Sequence, residues 1–285
     1  MATDVSLIRE LAAQICPDIA YIILHNSDIT ASTWSAGIET GKAFELLTLC
    51  VSVVEMRAVG YIVTFPDLYE NNPDLFYLRN IIPRHHGAQA GHNAVNGESL
   101  SLLERFIAAM TPKAVVRTPC GRCFLIYREG HPVHYISSSV HRSMEYLDRP
   151  DLLIAEGEIE LNAKNGTELQ FIYKHPAGGT RGSLRIRNDI KIPLMSFTAS
   201  RSSVIPINGI IECSVGKGRD KADEQLRRYL QICANSIRPA SILINGRKKS
   251  CTAYDHEVFI DLTTKDAGEL FRLMSVGLKK FVLDL

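Results

Sequence analysis

With 285 residues, 46% of them hydrophobic and 22% charged, the chain has the composition of an ordinary soluble globular protein with room for one large domain and an appendage. A net charge of +1 excludes a global basic excess, no apolar run reaches membrane length, and residues 1–24 lack the basic start and apolar core of a secretory signal. Seven cysteines, an odd number without regular spacing, fit reduced thiols better than a disulfide framework, so a cytoplasmic location is expected.

Residues 4–15 have the spacing of a short amphipathic helix, residues 18–24 read as a strand or buried segment, and residues 26–40 are polar and small. From Gly41 a long apolar run, carrying Glu45 in its first turns, predicts a buried helix that ends at Gly60, a residue suited to the left-handed position after a helix. Residues 61–65 then read as a strand. Residues 66–96 are loop-rich and include His85-His86, adjacent positions that diverge on most backbones; residues 98–110 form a helix.

Strands are predicted at 114–116 and 123–127, with a turn from Arg128 to Pro132 and a hairpin partner at 133–136. Cys120, Cys123, His131 and His134 have the donor types of a tetrahedral zinc site, although a strand sets Cys120 and Cys123 on opposite faces. Pro150-Asp151 opens an apolar strand, where proline costs no ladder hydrogen bond. Alternation at 158–161, 169–173 and 184–192 predicts an inserted antiparallel sheet. The glycine-rich loop 177–182 inside it lacks the strand and helix of a phosphate-binding motif. Residues 196–203, rich in Ser and Thr, read as a linker.

The run Gly209-Ile-Ile-Glu-Cys-Ser-Val is a buried, β-branched strand that carries one carboxylate, Glu212. Such a strand rarely keeps a lone carboxylate unless it is paired or bound to a metal. A polar turn follows, with Asp220 expected as N-cap. The next segment sets Ala222, Leu226, Tyr229, Leu230 and Cys233 on one helical face. Strands at 241–245 and 258–262 and a closing helix at 265–283 complete an α/β order. Basic residues bunch at 164–191, 217–228 and 247–249, in the half of the chain that holds Glu212, which favours a polyanion partner.

The order of these features resembles the PD-(D/E)xK nuclease superfamily, the restriction endonucleases and the RecB-like group. The resemblance covers roughly 40–275, and its separate motifs are short and degenerate. It implies a restriction endonuclease-like mixed central sheet flanked by helices. It further implies that Asp151 and Glu212 are the carboxylates that hold Mg²⁺, that Glu45 on the first helix joins the site, and that Gln225 and Tyr229 form the Gln-x-x-x-Tyr pair of the RecB-like members. Asp189 is the alternative to Asp151. The family's lysine, two residues after the second carboxylate, is here Ser214; Lys217, Lys221 or Lys191 would have to take its part, and Lys217 is favoured.

The chemistry agrees with the resemblance. Mg²⁺ takes hard oxygen ligands and keeps several waters, so two carboxylates on adjacent strands leave positions for a phosphate oxygen and a water. The expectation is therefore a Mg²⁺-dependent DNA endonuclease, restriction-type, acting as a homodimer that supplies two active sites. Residues 1–40 would form an N-terminal recognition segment and 41–285 the core, with the insertion at about 156–205. The alternatives are a nuclease-fold nucleic-acid-binding protein without catalysis and a zinc-stabilised interaction module.

Overall fold

The computed structural model describes residues 5–16, 40–65, 112–128, 150–164, 168–174, 180–187, 194–199, 207–214, 219–232, 238–246, 253–260 and 266–285. The class is α/β, with a mixed seven-stranded sheet flanked by helices. Helix α1 (Val5–Ile15) places Ile8, Leu11 and Ala12 in the core beside α2 (Thr40–Ala58). Helix α2 stops because Gly60 takes φ +88°, which lets the Gly60 N–H reach Arg57 O and the Tyr61 N–H reach Met56 O. This is the paired closure that only a left-handed residue allows.

Strands β1 (Ile62–Thr64), β2 (Ala114–Arg117), β3 (Cys123–Arg128) and β4 (Leu152–Glu156) run antiparallel in that order. Strand β3 pairs with β2 on one edge and β4 on the other; the hairpin partner expected at 133–136 lies outside the described residues. The chain then leaves the main sheet. Strands β5 (Glu158–Lys164), β6 (Glu168–Lys174), β7 (Thr180–Arg187) and β8 (Leu194–Ala199) form a separate antiparallel sheet in simple up-and-down order. The reading of 196–203 as a linker fails at its start. Ser196 pairs with Arg185 and Thr198 with Ser183 in the β7–β8 ladder, where hydroxyl residues fit as readily as in a loop.

Strand β9 (Ile207–Ser214) returns to the main sheet antiparallel to β4; α3 (Arg219–Ile232) crosses over; β10 (Ala240–Asn245) runs parallel to β9 and β11 (His256–Phe259) parallel to β10. Helix α3 begins at Arg219, so Asp220 lies in its first turn instead of capping it. Strand β11 begins two residues earlier than the apolar run indicates, because the register Ile242↔His256 extends it backwards. Helix α4 (Ala267–Leu283) is capped by Asp266, whose side chain accepts from the Gly268 and Glu269 N–H groups.

The sheet separates two layers. Leu152, Ile154, Ile211, Cys213, Ile242 and Ile244 face the core built with α1, α2 and α4. Leu243 packs with Ala222, Leu226 and Tyr254 on the α3 side. Among the described residues, no helix is long and apolar enough to cross a membrane.

Candidate functional site

A row of buried polar residues crosses one end of the seven-stranded sheet. Strands β4, β9 and β10 bring Asp151, Glu212, Ser214 and Asn245 to it, and β3 brings Arg128. Asp151 stands one residue before β4. The ladder pairs Leu152 with Ile211, so continuing that register sets Asp151 across from Glu212. Directly opposed residues of antiparallel strands hold their Cβ atoms ~5 Å apart on one face. The ends are tied as well: the Cys213 N–H donates to Asp151 Oδ2 at 2.6 Å. Two carboxylates about sixty residues apart in sequence are thus neighbours.

Glu212 has no exposed surface. Its strand alternation turns it away from the Ile211 and Cys213 side and toward α3, where Tyr229 donates its hydroxyl to Glu212 Oε2 at 3.1 Å. Gln225, one turn earlier, donates Nε2 to the Tyr229 hydroxyl at 3.4 Å. Burial first, then the charges of Glu212 and Asp151, push the Tyr229 hydroxyl far above its ordinary range, so it stays a neutral donor. Gln225 Oε1 is buried with no hydrogen-bond partner among the described residues, an open acceptor at the end of the chain Gln225–Tyr229–Glu212. Lys221 precedes Gln225 by four residues, on the same stripe of α3, and is exposed.

Glu45 comes from the other layer. It lies in the second turn of α2, three residues before Thr48, whose hydroxyl accepts from Cys213 Sγ at 3.3 Å. Its Oε2 is held by Arg128 NH2 at 2.6 Å, with the Arg128 side chain 1% exposed and that of Glu45 11%. The structure therefore brings Asp151, Glu212, Gln225 and Tyr229 to one face and ties Glu45 to an arginine on the opposite one. The Cys213 thiol lies among all three acids. Burial raises its pKa well above the ordinary value, and Asp151, Glu45 and Glu212 add to that, while the Thr48 hydrogen bond opposes it.

The donor set fits Mg²⁺ in kind: Asp151 and Glu212 offer hard carboxylate oxygens side by side. Among the described residues no group of three or more His, Cys, Asp or Glu is arranged to hold a metal ion. Ser214, at the lysine position, is buried and lies level with Asn245, whose amide donates to Glu257 Oε1 at 3.0 Å.

Lys217, Asp189 and Lys191 lie outside the described residues, as do His85, His86, His131 and His134. Of the cysteine pair, Cys120 is exposed in the β2–β3 turn and Cys123 is buried at the start of β3. The sequence reading missed Arg128, which it placed in a turn; the signal available was an arginine directly continuing the apolar run 123–127. It also missed Glu257 as the partner of Asn245. No family model matches the chain, and neither a curated protein nor a solved structure matches it.

Proposed function

We propose that this chain is a Mg²⁺-dependent DNA endonuclease with a restriction endonuclease-like fold, restriction-type and acting as a two-fold dimer. The observation that carries the reading is the pairing of Asp151 with Glu212 at the same end of adjacent strands, with Tyr229 and Gln225 docked on Glu212 from the crossover helix. The order of parts supports it: helix with Glu45, strand entered by Asp151, neighbouring strand with Glu212, helix with Gln225 and Tyr229, strand ending at Asn245.

Asp151 and Glu212 would hold the ion, which supplies shielding of phosphoryl charge and a more acidic water for in-line attack. The chain's own contribution is orientation. The Cys213 N–H fixes one oxygen of Asp151, and Tyr229 fixes one oxygen of Glu212, so each carboxylate is held in a set direction. Gln225 orders Tyr229 and leaves its own carbonyl oxygen ready for a donor. Ser214 carries no charge, so a cation near the attacking water would come from Lys217, from Lys191 or from Lys221, which shares a stripe with Gln225. Glu45 acts on this reading through Arg128.

The test is cleavage of supercoiled plasmid and linear duplex DNA with Mg²⁺ by wild type, Asp151→Asn and Glu212→Gln. Discrete fragments lost in both variants are expected. Equal cleavage by wild type and Glu212→Gln would sink the assignment. The buried Ser214 favours a second reading, a nuclease-fold nucleic-acid-binding protein without catalysis. DNA binding with no cleavage in Mg²⁺ or Mn²⁺ would select it.

A further inference from the structure

We propose that the polar face of the β5–β8 sheet is the docking surface for the phosphate backbone of duplex DNA, with β7 carrying its positive charge. The choice of partner rests on the nuclease reading; the location does not. The registers of this sheet sort its residues by period two. Leu169 and Phe171 of β6, Leu184 and Ile186 of β7, and Met195 and Phe197 of β8 take the positions of one face. The other face collects polar positions, including Gln170 beside Arg185 and Arg185 beside Ser196.

Charge is divided unequally across that polar face. On β5 the acids are met: Glu158 pairs with Arg117 at 2.9 Å and Glu160 with Lys174. Strand β7 reads Thr-Arg-Gly-Ser-Leu-Arg-Ile-Arg, three cations and no acid, and β8 has no charge at all; Glu168 of β6 stands opposite Arg187 in the register, while Arg185 stands opposite the neutral Gln170 and Ser196. Arg185 and Arg187 sit at alternate positions, ~7 Å apart along a strand. Arg181 sits where the β6–β7 register shifts by one residue. Ser196 and Thr198 of β8 flank this stripe in register with Arg185 and Ser183. Arginines interleaved with small hydroxyl residues are the side chains that contact phosphate oxygens without reading bases. The sheet leaves the main one directly after β4, the strand that Asp151 opens, so the stripe belongs to a unit attached to the candidate site.

The experiment is anisotropy of a short fluorescein-labelled DNA duplex in EDTA, titrated at several salt concentrations. The proteins are wild type, Arg181→Gln/Arg185→Gln/Arg187→Gln, and Glu158→Gln/Glu160→Gln. The arginine variant is expected to bind about tenfold more weakly at low salt and to lower the log–log salt slope by about two to three. The glutamate variant, which frees Arg117 and Lys174, is expected to bind more tightly. Unchanged affinity and slope in a folded arginine variant would overturn the proposal. So would unchanged affinity in the glutamate variant, which keeps the test decisive if the first variant does not fold. Binding through β7 by a wild-type protein that does not cleave DNA with Mg²⁺ would uphold this surface and remove only the nuclease reading.

Discussion

The Glu45–Arg128 pair gives the most exacting test of how the site is built. The two side chains meet at 2.6 Å and are almost entirely buried. Glu45→Gln keeps the shape and one acceptor but removes the countercharge. Two unit charges ~4 Å apart at an effective dielectric of ~20 attract by about 4 kcal/mol, and breaking a buried pair by removing one partner costs about 3–5 kcal/mol. The glutamine oxygen recovers part of this, so a loss of about 3 kcal/mol is expected. For a chain of this size it lowers Tm by ~8 °C. Thermal and urea unfolding of Glu45→Gln, Glu45→Leu, Arg128→Met and the double variant Glu45→Leu/Arg128→Met would measure it. The double variant should return to within ~1 kcal/mol of wild type, because apolar pairs of similar volume replace buried ion pairs at little cost. A Glu45→Gln protein within ~0.5 kcal/mol of wild type, or a double variant as unstable as the sum of the singles, would refute the pairing as a source of stability. The same variant tests function. With Glu45 engaged by Arg128, Mg²⁺ binding measured by calorimetry should survive Glu45→Gln and be lost in Asp151→Asn; equal loss in both would make Glu45 a ligand.

Three further outcomes are expected. Tyr229→Phe removes a hydrogen bond to a buried carboxylate at a cost of about 2 kcal/mol, read as a fall in Tm of ~5 °C; an unchanged Tm would show that Glu212 does not depend on it. Gly277→Ala sets a Cβ 1.8 Å from Val258 Cγ2, which overpacks the α4–β11 contact by about 1–3 kcal/mol, and Val258→Ala added to it should restore part of the loss in urea unfolding. The exposed Cys120 thiol is held below its ordinary pKa by the Thr118 hydroxyl at 3.0 Å, with help from the Arg122 backbone. A lowered thiol pKa means more thiolate at a given pH, so alkylation followed by mass spectrometry should label Cys120 before the buried Cys16, Cys50, Cys123 and Cys213, with a pH midpoint that Thr118→Val moves upward.

The sequence made the local elements legible where periodicity and a stop signal coincided. Helix α2 has both, an unbroken apolar run and Gly60 at φ +88°. Strand β9 was legible through its β-branched run, and α3 through the spacing of Ala222, Leu226 and Tyr229, all buried as that spacing requires. Strand β8 was not, because Ser196 and Thr198 carry no signal that separates a ladder position from a loop. Nor was the start of β11, which is set by its neighbour's register and not by its own residues. The Glu45–Arg128 pair joins positions 83 apart, and nothing local to either residue indicates the other. The opposition of Asp151 and Glu212 was reached only through the order of motifs; the structure supplies the register that makes it physical.

Strand β9 explains why polar groups gather at this end of the sheet. It is the one place among the described strands where antiparallel pairing, with β4, gives way to parallel pairing, with β10. The antiparallel neighbour begins where β9 ends, and this brings Asp151 level with Glu212. The parallel neighbour requires a crossover, and the crossover is α3, which lays Tyr229 and Gln225 over the same face. A carboxylate with no exposed surface needs donors fixed in place, since burying its charge otherwise costs several kcal/mol. Tyr229 is such a donor, and its strongly raised pKa keeps the proton on it. The hydrogen-bond direction therefore runs from Gln225 through Tyr229 to Glu212, and the buried Gln225 Oε1 is the end at which the chain can accept a further donor. A donor N–H or O–H meeting that oxygen would be ordered by the same residues that order Glu212, through a single helix turn.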